Sequence, residues 1–487
     1  MRIAFAYPPL GEKGRYPLLG QNRQFRYSTS SHVRIYPLIP ATAVTLLDES
    51  YDSILLDGIN SRIGSEAFLR RLDRYRPDVV VLETKTPLMP KLWRWADELK
   101  ERFDTVIMVG DHVSARPRES LERCRADYIL GGGDYDLGLL ELTRHIAEKD
   151  EPLPGGVWYR GGGGPRSSGD PAFWDDLDRV PFIDREKTNW RLYGEAYLHD
   201  PCTYVLSGRG CGGAGGSSGR CSYCSWQHNL WRCTSRLRTP ANLAEEIALI
   251  VEEQGPKEIF DDNESGAVWN LEWLKAFERE LSKRGVKGEV AISSNARADS
   301  LNRETCRILA RGGFRLLKIG LESGNDRTLK RIGKMETSGD IERGVKNAKE
   351  AGLKVLLTVM VGYPWEDEGM VRKTLDLAGR LLRYRARIGD SLQASIIVPY
   401  PGTPLHREAV EEDLFAIDPE DYAAYDMSRP VLESPIDPAH WCGRLWRLHY
   451  DPRFLVRSLA SVRSLGEMML AARGVSSLLG HTGDFGK

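Results

Sequence analysis

Three cysteines stand in one glycine-rich run, Ser207-Gly-Arg-Gly-Cys211-Gly-Gly-Ala-Gly-Gly-Ser-Ser-Gly-Arg-Cys221-Ser-Tyr-Cys224, with the spacing C-x9-C-x2-C. Thiolates grouped in this way favour a soft metal, either zinc or an iron–sulfur cluster. Two readings stand on the local sequence. Cys211, Cys221 and Cys224 can hold three irons of a [4Fe–4S] cube and leave the fourth iron open to a ligand. Alternatively Cys233, nine residues after Cys224, or Cys202 closes a four-cysteine zinc site, and the chain is a non-catalytic zinc-binding protein.

Composition narrows the setting. A chain of 487 residues is too long for one hydrophobic core and implies two or three domains. Charged residues make up 28% and balance to a formal −1, which gives no field to recruit nucleic acid or an anionic membrane. No run approaches the roughly 18–20 apolar residues of a membrane span. Met1-Arg-Ile-Ala-Phe-Ala-Tyr7 lacks a signal-peptide layout. Five of the eight cysteines fall within 32 positions, which suits a reduced metal site in the cytoplasm better than a disulfide framework.

The elements that must position the cysteines are read from hydrophobic periodicity. Residues 1–148 alternate short apolar runs with helical stretches, which predicts a parallel sheet covered on both faces. Ligands bind beyond the carboxyl ends of such strands. The loops there contain Thr84, Gly110, Asp111 and Gly132. Residues 149–200 read as a connector, with a hairpin tip at Gly161–Gly164. Residues 201–405 repeat a strand–helix unit six times, which predicts a complete or partial βα barrel. Polar residues follow the strand ends at Asp261-Asp262, Asn295, Arg297, Glu322 and Gly362, on the face where the cysteine loop opens. Residues 406–487 read as a helical extension, with one helix from Phe454 to Ala472 packed on the barrel. An interfacial helix that meets a lipid is the other reading of that segment. Trp226, His228 and Trp231 either line a substrate pocket or pack the cysteine loop.

With these elements in place, residues 201–405 resemble the radical SAM superfamily. The resemblance is carried by Gly208-Arg-Gly-Cys211, Arg220-Cys-Ser-Tyr-Cys224, Phe260-Asp-Asp262, Asn295-Ala-Arg297, Lys318-Ile-Gly-Leu-Glu-Ser-Gly324, Val361-Gly-Tyr-Pro364 and Pro399-Tyr-Pro-Gly-Thr-Pro404. Arg76-Pro-Asp-Val-Val80, Val109-Gly-Asp-His112, Pro117-Arg-Glu-Ser-Leu121 and Asp127-Tyr-Ile129 extend it to the first domain. There it resembles the subgroup with an N-terminal cobalamin-binding domain, which includes anaerobic magnesium-protoporphyrin monomethyl ester cyclases and radical SAM proteins of hopanoid biosynthesis. The implied fold is α/β: a Rossmann-like parallel-sheet cobalamin-binding domain, a partial (β/α)6 radical SAM barrel and a helical C-terminal extension.

The resemblance also implies cofactors and roles. Cys211, Cys221 and Cys224 match the ligands of a [4Fe–4S] cluster whose open iron binds S-adenosylmethionine. Tyr223 matches an aromatic position near the adenine, and Glu322 an acidic residue that meets the ribose. Asp261 and Asp262 match the strand that serves the methionine end, and Asn295 and Arg297 suit its carboxylate. Gly362 belongs to the same cofactor face, and Thr84, Gly110, Asp111 and Gly132 to the cobalamin face. The implied reaction is reductive cleavage of S-adenosylmethionine followed by methyl transfer from cobalamin to an unactivated carbon. Oxidative cyclisation or rearrangement of a lipid or tetrapyrrole is the other reaction of the class. No catalytic residue is assigned. The implied partners are a small-molecule or lipid substrate and a reductant such as flavodoxin or ferredoxin, with no nucleic acid and peripheral membrane association as an option.

Two departures from the family pattern stand out. The first cysteine gap is nine residues where the family has three, as though Ala214–Gly219 were inserted. Tripling a flexible loop costs about 1 kcal/mol in closure entropy, so Cys211 still reaches its iron. The first domain also lacks a D-x-H-x-x-G motif, so His112 is not assigned to cobalt, and Gly133 stands where a glutamate is common.

Overall fold

The computed structural model describes residues 1–12, 14–20, 24–28, 33–148, 150–212 and 220–482. The Ala214–Gly219 stretch of the cysteine loop lies outside them.

The first sheet has seven strands: β1 Arg2–Tyr7, β4 Asp52–Asp57, β5 Val79–Thr84, β6 Thr105–Gly110, β7 Tyr128–Leu130, β8 Val157–Gly161 and β9 Gly164–Ser167. Their order is β4-β1-β5-β6-β7-β8-β9. The first five are parallel; β8 and β9 form an antiparallel hairpin that extends the edge. The expected turn at Gly161–Gly164 is thus the tip of a hairpin, and part of the segment read as a connector completes this sheet. Every residue of β5, Val79-Val-Val-Leu-Glu-Thr84, is buried, as a central parallel strand covered on both faces requires. A second hairpin, β2 Tyr16–Leu19 with β3 Gln24–Ser28, stands outside the sheet.

The second sheet is β10 Cys202–Val205, β13 Glu258–Asp261, β14 Ala291–Ala296, β15 Phe314–Glu322, β16 Lys354–Val361 and β17 Ser391–Ile396. All are parallel and lie in sequence order. The six-stranded partial barrel expected from the repeat is therefore present. Between β10 and β13 a small antiparallel hairpin, β11 Gly208–Gly210 with β12 Ser235–Leu237, brackets the cysteine loop.

The helix Ser338–Glu350 is capped by Thr337. Thr337 and Asp340 form a reciprocal capping box that satisfies two orphan amides. The tail helix expected over Phe454–Ala472 is two helices, Pro452–Ala460 and Leu465–Thr482. The break follows from a second N-terminal signal. Ser464 Oγ accepts from Glu467 N–H, and Glu467 accepts from Arg463 N–H, so a new helix starts there.

The carboxyl ends of the two sheets meet on the cysteine loop. Asp111, after β6, accepts from Ser225 Oγ at 2.9 Å, and Asn229 Nδ2 donates to the carbonyls of Asp111 and of Pro401, after β17. One continuous apolar core runs from the first sheet through Trp226, Leu230 and Trp231 to Tyr400 and Tyr425.

Candidate active site

Where the sheets meet lies a cavity of about 210 Å³. Cys211, Cys221 and Cys224 are on its wall, together with Tyr223, Asp262, Glu264, Asn295, Arg297, Glu322 and Lys334. Of the sequence-selected residues, eight are thus brought together. Six are not on the wall. Asp261 holds the loop instead, accepting from Ser207 N–H at 2.8 Å and Ser294 Oγ at 3.2 Å. Gly362 packs against Pro438 and Ile396. Thr84 donates to the Val109 carbonyl at 2.8 Å, and Gly110 is pressed against Thr84. Gly132 abuts the Asn229 carbonyl. Asp111 is buried, taking hydrogen bonds from Gln24 and Ser225.

The backbone that presents the cysteines is tightly specified. Gly210 has φ +94°, and a Cβ there would sit 1.9 Å from the Thr234 carbonyl oxygen, so the β11–β12 hairpin admits only glycine. Arg209, between two such glycines, is buried and grips Asp136 with both guanidinium nitrogens, at 2.8 and 2.6 Å. Asp136 lies on the first domain's helix Tyr135–Ala147, so the hairpin is clamped to that domain.

Glu322 is aimed by a break in register. The pairing of β15 with β16 shifts between Gly320 and Glu322, and Glu322 takes φ +58°, a left-handed conformation that is costly away from glycine. A Cβ on Gly320 would meet Glu322 Oε1 at 2.2 Å, which accounts for the glycine two residues earlier. Burial raises the Glu322 carboxyl above its usual range, and Lys334, 3.5 Å away, opposes the rise. Lys334 also pairs with Glu336 at 3.3 Å, and Arg297 is steered by Asp299 and the Lys334 carbonyl.

Burial pushes the three thiols up, Cys211 to about 11. Three thiolates are stable here only beside added positive charge, which a metal centre supplies. Cys202 opens β10, at the opposite end of the barrel, and Cys233 turns its sulfur to His228 Nδ1 at 3.6 Å. Neither reaches the cavity. Of the eight cysteines, Cys211, Cys221 and Cys224 alone line the cavity, which does not suit a closed four-cysteine site there. Trp226 and Trp231 pack edge-to-face at 5.1 Å in the first core, so they anchor the loop rather than line the cavity.

Two wall residues escaped the sequence reading. Glu264 ends the run Asp261-Asp-Asn-Glu264, and its acidic neighbours were the one signal for it. Both its carboxyl oxygens are buried without a completed hydrogen bond among the described residues, and burial with the charges of Asp262 and Asp261 pushes it up to about 8. Lys334 follows a glycine in a loop and carries no motif.

Residues 208–378 match the family model of the Radical SAM superfamily. The chain therefore carries a radical SAM domain, the domain of a class of enzymes. It is 25% identical over 439 residues to an uncharacterised methyltransferase, PH0819, of Pyrococcus horikoshii, covering 87% of this chain and 90% of that one. In fold it is similar to the radical S-adenosylmethionine methyltransferase TsrM from Kitasatospora setae, solved with cobalamin and a [4Fe–4S] cluster bound. That likeness has a TM-score of 0.69 at 16% identity over 92% of this chain and 97% of that one. The cobalamin-dependent S-adenosylmethionine radical enzyme OxsB, with aqua-cobalamin, matches at TM-score 0.69 and 16% identity, over 92% of this chain and 70% of that one. The order of parallel-sheet domain, partial barrel and helical tail is thus a known architecture.

Proposed function

We propose that the chain is a cobalamin-dependent radical SAM methyltransferase. In this reading it holds a [4Fe–4S] cluster on Cys211, Cys221 and Cys224, takes S-adenosylmethionine in the same cavity, and carries cobalamin between the two sheets. The observation that carries the reading is the convergence of three cysteines, and of no fourth, on a cavity that also exposes Glu264, Lys334 and Glu322. The curated relative's name supports methyl transfer over cyclisation. When bound, these groups would supply the electron that cleaves S-adenosylmethionine and the methyl group that is transferred.

The chain's own residues bind, orient and exclude water. Asp262 offers a carboxylate and Glu264 a carboxyl oxygen to the ammonium of an amino acid, and Arg297 and Lys334 offer cations to its carboxylate. Glu322 offers an acceptor to ribose hydroxyls, and Tyr223 an apolar ring face to a base. Between the sheets, beside a buried Lys85–Asp111 ion pair at 3.6 Å, the Gln227 amide, Trp226 Nε1 and Tyr400 OH lack hydrogen-bond partners among the described residues. Buried polar groups are seldom left so, and this concentration suits an amide-rich corrin. Thr84, Gly110 and Gly132 shape the first-domain loops on the face that would take the cofactor. The first sheet, with its β8–β9 hairpin, serves as the cobalamin domain, the rest of the segment up to 200 as the connector, 201–405 as the barrel and 406–487 as the extension. The site works in a reduced, cytoplasmic setting with a flavodoxin or ferredoxin as electron donor.

Anaerobic reconstitution with iron and sulfide tests the assignment. Wild-type protein takes up about four irons per chain, the content of the cube, with broad visible absorption, and consumes S-adenosylmethionine. Cys211→Ala, Cys221→Ala and Cys224→Ala lose both properties, and Cys233→Ala keeps them. Product mass rising by one CH2 marks methylation. A colourless protein with stoichiometric zinc refutes the proposal, as does loss of iron in Cys233→Ala alone.

A further inference from the structure

A second cavity of about 210 Å³ lies at the other end of the barrel, under the tail helices. It is joined to the cysteine-lined cavity by the sheet itself. Successive side chains on one face of a strand are two residues apart. On β16, Leu356 lines the lower cavity, and Thr358 and Met360 line the upper one. On β17, Ser391 lines the lower cavity, Ser395 the upper, and Gln393 both. The two spaces therefore adjoin at Gln393, which is on the wall of both.

The chemistry changes along that line. The upper end carries Lys318, Glu322 and Lys334, whereas the lower end is walled by Leu18, Val33, Leu356, Phe454, Leu470 and Leu478. Three polar residues of the lower wall, Asp390, Arg387 and His449, are committed to the protein. Asp390 pairs with Lys349 at 3.1 Å, and Arg387 donates to the Gly352 carbonyl. His449 Nε2 accepts from Leu392 N–H, with Nδ1 against the Trp446 carbonyl. The rim is apolar and open: Leu459 and Val475 line the cavity and are 64% and 57% exposed. An apolar cavity left unfilled forfeits contacts, so this one calls for an apolar occupant.

We infer that the two cavities form an amphiphile site, in which the lower cavity holds the hydrocarbon portion of a lipid substrate and the polar, reacting end reaches the cysteine-lined cavity. That the upper end is the reacting end rests on the function proposed above; the apolar site does not.

The test is equilibrium binding of a dansyl-labelled fatty acid to the full chain, read by probe fluorescence, with thermal melting as a fold check. Ala471→Trp and Gly474→Trp fill the lower cavity from the tail, and a Cβ added at Gly474 would meet nothing within 4 Å. Both weaken the probe at least tenfold with unchanged melting. Met469→Glu, on the outer face and 61% exposed, leaves affinity unchanged. The inference is overturned if wild type fails to bind the probe, if the filled variants bind as well as wild type, or if Met469→Glu alone abolishes binding. Cys221→Ala separates the two ideas. Probe binding retained while iron is lost supports the lipid site on its own, and normal iron loading in a wild type that ignores the probe overturns the lipid site alone.

Discussion

Glu366 shows how a carboxyl outside the cavity supports one inside it. It follows β16, is buried, and accepts from Ser323 Oγ at 3.0 Å and Thr328 Oγ1 at 2.8 Å. Ser323 is the residue after Glu322, so this bond secures the turn that points Glu322 at the cavity. Burial pushes the Glu366 carboxyl from 4.5 up to about 7. Between those values the folded chain keeps a proton that the unfolded chain has lost, so stability falls as pH rises through that window and is level above it. In Glu366→Gln the amide oxygen still accepts from both hydroxyls and nothing titrates. The variant should lose that part of the slope. It should match wild type near pH 4.5 and exceed it at about pH 8 by on the order of 3 kcal/mol, at roughly 1.4 kcal/mol per unit. Urea unfolding at several pH values measures this; parallel curves for the two proteins would rule out the raised carboxyl.

The elements differ in how plainly the sequence announces them. The six barrel strands are legible because each is a short apolar run between a helix end and a polar loop, and the order of the sheet follows from the repeat. The cysteines, Tyr223, Asp262, Asn295, Arg297 and Glu322 are legible for the same reason, since each sits in or beside a strand-end motif. Lys334 is not, because its place depends on pairing with Glu322 and Glu336, a tertiary fact. Asp261 and Asp262 are adjacent, and strand alternation sends only one to the cavity; the sequence alone does not say which. The tail reads as one helix although Ser464 and Glu467 spell a capping box, because the apolar period runs on across it. At Gly210 the hairpin tests its own design. Gly210→Ala drives a methyl into the Thr234 carbonyl at a positive φ, and should cost about 2–4 kcal/mol and lower iron uptake on reconstitution. Gly474→Ala, in an exposed helix with free space, should be neutral or raise the melting temperature slightly. Equal melting and equal iron for the two variants would show that the hairpin tolerates a side chain.

At the scale of the whole molecule the two sheets are tied by buried charge as well as by the shared core. Arg209 meets Asp136 and Asp134, and Arg236 meets Asp134 at 2.6 Å, so two arginines of the hairpin face two carboxylates of the first domain. Arg209, Asp134 and Asp136 are almost fully buried. Attraction between such groups roughly offsets what their desolvation costs, so the network adds little net stability compared with an apolar contact, but removing one partner strands the other. Asp136→Ala should therefore destabilise the chain by about 3–5 kcal/mol, and the double variant Asp136→Leu with Arg209→Met should recover much of that loss. The site makes the two cases distinguishable. If the network's role is to fix the position of the cysteine hairpin against the first domain, the double variant regains melting temperature yet still assembles its metal centre poorly. Recovery of both together would show that any close contact at this point suffices. The Arg209 and Arg236 charges, with Trp174 N–H, hold the Asp134 carboxyl down to about 2, against the desolvation that opposes them. Its contribution is complete above pH 3.8 and fades as pH falls toward 2. Acid unfolding of the wild type should begin in that window, and a variant with Asp134→Asn should lose that part of the acid slope, by calorimetry across the same range.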